Sequence, residues 1–210
     1  MTGPFNFDHL VYGVPDLPAG VEEFTAATGI TPVRGGRHAG YGTANYLVGL
    51  GHGRYLEIIG VDPDAPDTPP RRFFGIDPVR PPGLLTWAIR TDDIDRAVDA
   101  ARHDGYDPGE PVDMSRRTAS GDLLRWRLTP DTVDTTGGLV PFLIDWGGST
   151  HPTRNRLPEL GLASLTLCGP DPSGTGRNLA ALGVRIPVHD APRPGMRAVL
   201  VTPSGTVTLT

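Results

Sequence analysis

The sequence predicts an α+β fold made of repeated β-α-β-β-β units, and three observations carry that prediction. The same order of elements, a strand, a helix and then three strands, recurs three times along the 210 residues. Each helix is bracketed by an aspartate and a glycine at nearly constant spacing: Asp16 to Gly29 is 13 residues, Asp93 to Gly105 is 12, and Asp171 to Gly183 is 12. Finally, 28 glycines and 23 prolines punctuate short apolar stretches, which is the mark of many short strands joined by turns.

The first unit spans residues 5–60. The stretch "DHLVYGV" reads as a strand. It runs into the helix "DLPAGVEEFTAATG", where Asp16 is a natural N-cap and Gly29 a natural stop. Leu17, Val21, Phe24 and Ala27 recur there at helical spacing. Strands follow around Thr31–Arg37, Thr43–Leu50 and Arg54–Ile59. A proline-rich connection, residues 61–83, comes next; its seven prolines lack the N–H that a sheet ladder needs. It reads either as a flap carrying Phe73 and Phe74 or as a plain crossover.

The second unit, residues 84–147, opens with the strand "LLTWAIRT", enters the helix "IDRAVDAARHDG" behind Asp93, and continues in strands near Pro111–Ser115, Asp122–Leu128 and Leu139–Trp146. The third, within residues 156–210, repeats the order as "ASLTLCG", "DPSGTGRNLAALG", "VRIPVHD", "RAVLVTP" and "GTVTLT". Residues 1–155 therefore read as one domain of two paired units, with 156–210 as a third unit beside it. An odd unit leaves a sheet face and an edge uncovered, so it must pack on the first two or pair with a second copy; a homodimer is the expectation.

Composition narrows the function. A net charge of −5 gives no reason to bind nucleic acid or an anionic membrane. One cysteine, Cys168, forbids an internal disulfide and points to the cytoplasm, as does the lack of a basic, apolar leader in "MTGPFNFDHL". All 19 basic residues are arginines. Lysine Schiff-base chemistry, covalent pyridoxal phosphate and a P-loop lysine are therefore excluded, and no glycine-rich nucleotide motif opens a helix.

With its paired β-α-β-β-β units, a "DH" at the start of the first strand and the glutamate of "YLEIIG", the chain resembles the glyoxalase-like domain family of the vicinal-oxygen-chelate superfamily. The stretches "GGRHAGYGTAN", "TWAIRTDDID", "MSRRTASGDLLRWRLT" and "GLVPFLIDWGGSTHP" carry the same resemblance. It implies that two units curl into a cup that holds a small-molecule site. It also implies that His9 and Glu57 form half of a divalent-metal centre, with Zn, Ni, Mn or Fe as the suited ions. The matching second-unit positions are Thr86 and either Phe142 or Ile144, so further donors would have to come from His38, Asp145 or His151.

Strand alternation supports a meeting of His9 and Glu57. If His9 faces the cup, Val11 and Gly13 do too, and Glu57 shares its face with Tyr55 and Ile59. Three readings stand open: a structural pair with the imidazole hydrogen-bonded to the carboxylate, a metal-free pair with Glu57 as base and His9 orienting it, and a metal half-site. In "LLRWRL", Leu124, Trp126 and Leu128 share one face. If that face meets the helices, Arg125 and Arg127 turn to the cup, where Arg125 would hold a ligand anion. His38, in a glycine-rich hairpin, and Trp146 are further candidate ligand contacts. Arg116 and Arg117 read as surface charge on a turn. The function expected is binding of a small polar or anionic metabolite, with lyase or isomerase chemistry next to a carbonyl. The alternative is a non-catalytic protein that sequesters an antibiotic or aromatic compound.

Overall fold

Among the described residues four α-helices punctuate the chain: α1 (Leu17–Thr28), α2 (Ile94–His103), the short α3 (Val133–Thr136) and α4 (Pro172–Ala181). The long three start as the sequence requires. The carboxylates of Asp16, Asp93 and Asp171 accept from the backbone N–H groups of Ala19, Arg96 and Gly174 at 3.0, 3.1 and 2.8 Å. Gly29 closes α1 with φ of 72°, a conformation open to glycine at little cost. The buried stripe of α1 is Leu17, Gly20, Phe24 and Thr28, so Ala27 faces outward. In this computed structural model the described residues are 6–38, 41–65, 72–76, 81–117, 123–130 and 133–210. Much of the proline-rich connection, the turn at 118–122 and the side chains of Phe73 and Arg117 lie outside them.

The first two units share one eight-stranded sheet. Unit one supplies β1 (Phe7–Val14), β2 (Val33–His38), β3 (Thr43–Gly49) and β4 (Tyr55–Val61). Unit two supplies β5 (Gly83–Arg90), β6 (Val112–Arg117), β7 (Leu123–Leu128) and β8 (Phe142–Asp145). Their order is β2-β3-β4-β1-β5-β8-β7-β6, two copies of one arrangement joined where β1 and β5 pair antiparallel. The sheet curls until its two edge strands, β2 and β6, approach each other without a hydrogen-bonded ladder. The result is a nearly closed cup. In the connection, Phe74 sits in a single 3₁₀ turn at φ 55° and is buried.

Alternation along the strands separates two cores. Leu10, Val14, Leu56, Ile58 and Trp87 face the helices, whereas Val11, Leu47, Ile59, Trp126 and Phe142 face the cup. The apolar face of β7 thus points inward, against the expectation that it meets the helices. The cup interior is itself an aromatic core, and the outer face of β7 is left to solvent, with Leu123 and Arg125 exposed.

The third unit departs from the first two in strand order. Its strands β9 (Gly161–Gly169), β10 (Val188–Asp190), β11 (Gly195–Thr202) and β12 (Gly205–Leu209) lie in the order β10-β9-β11-β12. In the paired units, β1 and β5 give one edge to each other. β9 has no such partner, so both its edges accept strands of its own unit: β10 parallel, β11 antiparallel.

This small sheet covers the helix-side face of the large one, and the two share a single core. Leu162, Leu167, Met196 and Leu200 join the same buried cluster as Leu10, Trp87 and Leu143. Backbone bonds fasten the edges: Leu160 N–H to the Gly49 carbonyl at 2.9 Å, and Leu84 N–H to the Thr210 carbonyl at 3.0 Å. Gly49 is needed there, because a Cβ would lie 2.8 Å from Glu159. Because all three tryptophans sit in the first two units, they report whether the third unit contributes to one folding unit. Leu200→Ala, at a site 0% exposed, is expected to cost about 3 kcal/mol. It should lower the urea midpoint of tryptophan fluorescence in one transition. An unmoved fluorescence midpoint would show that the third unit folds apart.

Candidate active site

A register shift in β1 creates the centre of the site. Phe7 pairs with Ile89 and His9 with Ala88, so Asp8 is an extra residue in the strand. Phe7 packs with the helix-side core, His9 lines the cup, and Asp8 is fully buried beside it. Its carboxylate gathers four donors from separate parts of the chain. Oδ1 accepts from His9 Nδ1 at 2.6 Å. Oδ2 lies 3.1 Å from His151 Nε2, 3.3 Å from Trp146 Nε1 and 3.3 Å from Arg90 Nε. Burial alone would raise the Asp8 pKa, but the bonds from His151 and His9 outweigh it and hold the group well below the usual carboxylate range.

The Asp8 bond decides how His9 presents itself. With Nδ1 held by the carboxylate, the ring turns its Nε2 to the cup. The imidazole is also clamped, stacked on Tyr55 at 4.5 Å and edge-on to Phe142 at 5.5 Å. Glu57, opposite Val11 on β4, faces the same space. Its Oε1 accepts from Asn45 Nδ2, and its Oε2 stands 3.8 Å from His9 Nε2. That separation is too long for a hydrogen bond, so of the three readings the hydrogen-bonded His9–Glu57 pair is not formed, and the hydrogen-bond partner of His9 is Asp8.

His38, on β2, brings its Nε2 to 3.9 Å from Glu57 Oε1, and its Nδ1 lies 3.0 Å from Thr43 Oγ1. Burial lowers its pKa to about 4 despite the field of Glu57, so the ring is neutral at pH 7. Burial likewise pushes the Tyr55 hydroxyl well above its ordinary value, with Asp8 and Glu57 adding to the rise.

These polar groups sit at one side of a small cavity, about 40 Å³ in volume, that opens to solvent. Aromatic side chains make the other walls. Trp126 and Trp146 lie 5.5 Å apart, and Phe74, from the proline-rich connection, packs 5.7 Å from Phe142. Arg116 also lines the cavity and is 6% exposed, whereas Arg125 is on the outer face of β7. The expected anion contact at Arg125 is therefore corrected. On β6, Met114 and Arg116 point inward while Ser115 is exposed. His9, Glu57, His38 and Trp146 come together; His151 stands behind them on Asp8. The groups that sequence reasoning missed are Asp8, Asn45 and Arg116.

The donor set does not fit the metal centre that the resemblance implies. The pairing of β5 with β8 sets Ala88 opposite Phe142, as Val11 is set opposite Glu57, so Phe142 stands where a second carboxylate would be needed. Of the extra donors considered, His151 directs its Nε2 at Asp8, Asp145 accepts from the backbone N–H groups of Ile94 and Gly147, and His38 stands 3.9 Å from Glu57. Among the described residues, no group of three or more His, Cys, Asp or Glu side chains is placed to hold a metal ion.

Comparison with known proteins agrees with this architecture. The glyoxalase-like domain family matches residues 7–183, and the chain belongs to that family. No curated protein matches. Among solved structures, a hypothetical protein from Staphylococcus aureus is similar in fold, with a TM-score of 0.63 and 18% identity. That likeness covers 96% of this chain and 83% of the other, so it includes the third unit. Methylmalonyl-CoA epimerase from Mycobacterium tuberculosis gives a TM-score of 0.46 at 18% identity, over 73% of this chain and 95% of its own. A triple mutant of 4-hydroxymandelate synthase from Streptomyces coelicolor gives 0.49 at 16%, over 99% of this chain and 63% of its own.

The His38 environment sets a pH dependence. The ring is neutral when folded, with a pKa of about 4 against 6.5 for the free side chain, so the unfolded chain binds more protons between those values. Its contribution is complete above pH 6.5 and fades as pH falls towards 4. The Asp8 contribution is lost only below 3.8. Between pH 7 and 4.5 the unfolding free energy should fall by ~2 kcal/mol, and His38→Asn should flatten that fall in urea titrations.

Proposed function

We propose that the cup is the active site of a lyase or isomerase that moves a proton next to the carbonyl group of a small metabolite. One observation carries the reading. Asp8 holds His9 through Nδ1, so that Nε2 opens on the cavity 3.8 Å from Glu57 Oε2. Two proton-handling groups from different strands thus flank one point, and each has its own orienting partner, Asp8 for His9 and Asn45 for Glu57.

In this reading His9 Nε2 takes the proton from the carbon beside the carbonyl, and Asp8 stabilises the imidazolium that forms. Glu57 Oε2, 3.8 Å away, receives that proton from the imidazolium and returns it to the neighbouring atom, which leaves both groups as they began. Phe142 and Tyr55 fix the ring during the transfer, and the aromatic walls keep water away from the carbanionic intermediate. No step is routed through a metal.

The aromatic lining favours a second reading. Trp126, Trp146, Phe74 and Phe142 would also suit a protein that sequesters an aromatic compound without turnover. Proton exchange separates the two. In D2O, a panel of small ketones, 2-oxo acids and thioesters is followed by proton NMR for loss of the signal next to the carbonyl. Turnover predicts catalysed exchange of at least one compound, reduced about 10²–10⁴-fold in His9→Gln and in Glu57→Gln. Binding with no exchange in the wild type would favour sequestration.

Two further expectations belong to this reading. The single cysteine supports a reducing compartment, the cytoplasm. β12 ends its sheet, and that outer edge supports pairing with a second copy. A concentration-independent monomer mass in light scattering would remove the homodimer.

A further inference from the structure

Arg116 is a buried cation whose hydrogen-bonding capacity the described residues leave unused. It lies on the edge strand β6, at the seam where β6 approaches β2, and its side chain lines the cavity. It forms no hydrogen bond and no ion pair with any described residue, and its Nη1 is sealed from solvent without a partner. Burial lowers its pKa, and the fields of Tyr55 and Glu57, the first countering groups, act across space without touching it. A guanidinium so placed bears a desolvation cost that no described residue offsets by a hydrogen bond or ion pair. Chains rarely keep such a group unless something else completes it.

Other charges in the cup already have neighbours. Asp8 has His9, His151 and Arg90, and Glu57 has Asn45. Arg116 is the exception among the cavity's charged groups, and Nε and Nη2 are the donors left to meet a ligand. A planar fork of two N–H groups matches a carboxylate, and the aromatic walls of Trp126 and Trp146 suit a flat, unsaturated body attached to it.

We propose that Arg116 is the receptor for the carboxylate of the ligand, which makes the substrate class a small carboxylic acid with a planar apolar body. The inference deepens the reading of the cup as a proton-transfer site but stands on binding alone. Held at Arg116, the anion fixes one end of the molecule while the rest extends towards His9 and Glu57.

The test uses benzoate and benzamide, which share size and ring and differ in charge, titrated into the full chain by calorimetry and by tryptophan fluorescence. Benzoate should bind at least about tenfold more tightly than benzamide. Arg116→Gln should remove the preference. Arg116→Lys, which keeps the charge but not the fork, should retain only part of it. Equal binding of the two probes by the wild type, or no binding of either at 10 mM (about the limit of a useful site), overturns the proposal without any variant. So does a preference that survives in folded Arg116→Gln. His9→Gln keeps the two questions apart. It should lose proton exchange while still preferring benzoate, so a preference missing from the wild type sinks the carboxylate receptor alone, and exchange missing from the wild type sinks only the proton-transfer reading.

Discussion

The burial of one carboxylate organises the site. Asp8 is without solvent, and an ionised carboxylate in that position is tolerated only if donors surround it. Its donors come from β1, from the end of β5, from the residue following β8 and from the turn at His151. Each of those segments is thereby pinned to the same point. The orientation of the His9 ring, the position of the Trp146 wall and the path of the chain leaving the second unit all follow from satisfying that single charge.

The fold is close to symmetric and the chemistry is not. Two copies of one strand arrangement meet at β1 and β5, yet the polar groups gather on the first unit, with His9, Asn45, Tyr55 and Glu57, and the second supplies chiefly apolar wall, with Trp126, Leu128, Phe142 and Ile144. Arg116 is the exception. A duplicated scaffold thus yields a cavity with a polar side and an apolar side.

Repeats, helix starts and helix stops were legible because each depends on local chemistry: an aspartate that caps, a glycine that turns, an apolar face at period two. The shared face of His9 and Glu57 was legible for the same reason. What escaped had non-local causes. Asp8 was hidden because plain alternation puts neighbours on opposite faces, and only pairing with β5 forces the extra residue. Arg116 and Arg125 exchanged roles because the cup interior is as apolar as the helix-side core, so alternation on β6 and β7 separates two faces without saying which is inside. The strand order of the third unit depends on which edges of β9 are free, and that is settled by partners elsewhere in the chain.

The shared helix-side core also explains what the C-terminal sheet is for. Leu10, Trp87 and Leu143 belong to the strands whose opposite faces build the cavity, and Leu162, Leu167 and Leu200 cover them. Shortening the chain ahead of β9 would therefore bare the outside of the vessel to water while leaving every reactive group in place. The last segment works as insulation: it lines no part of the cavity, yet it keeps water off the back of the wall.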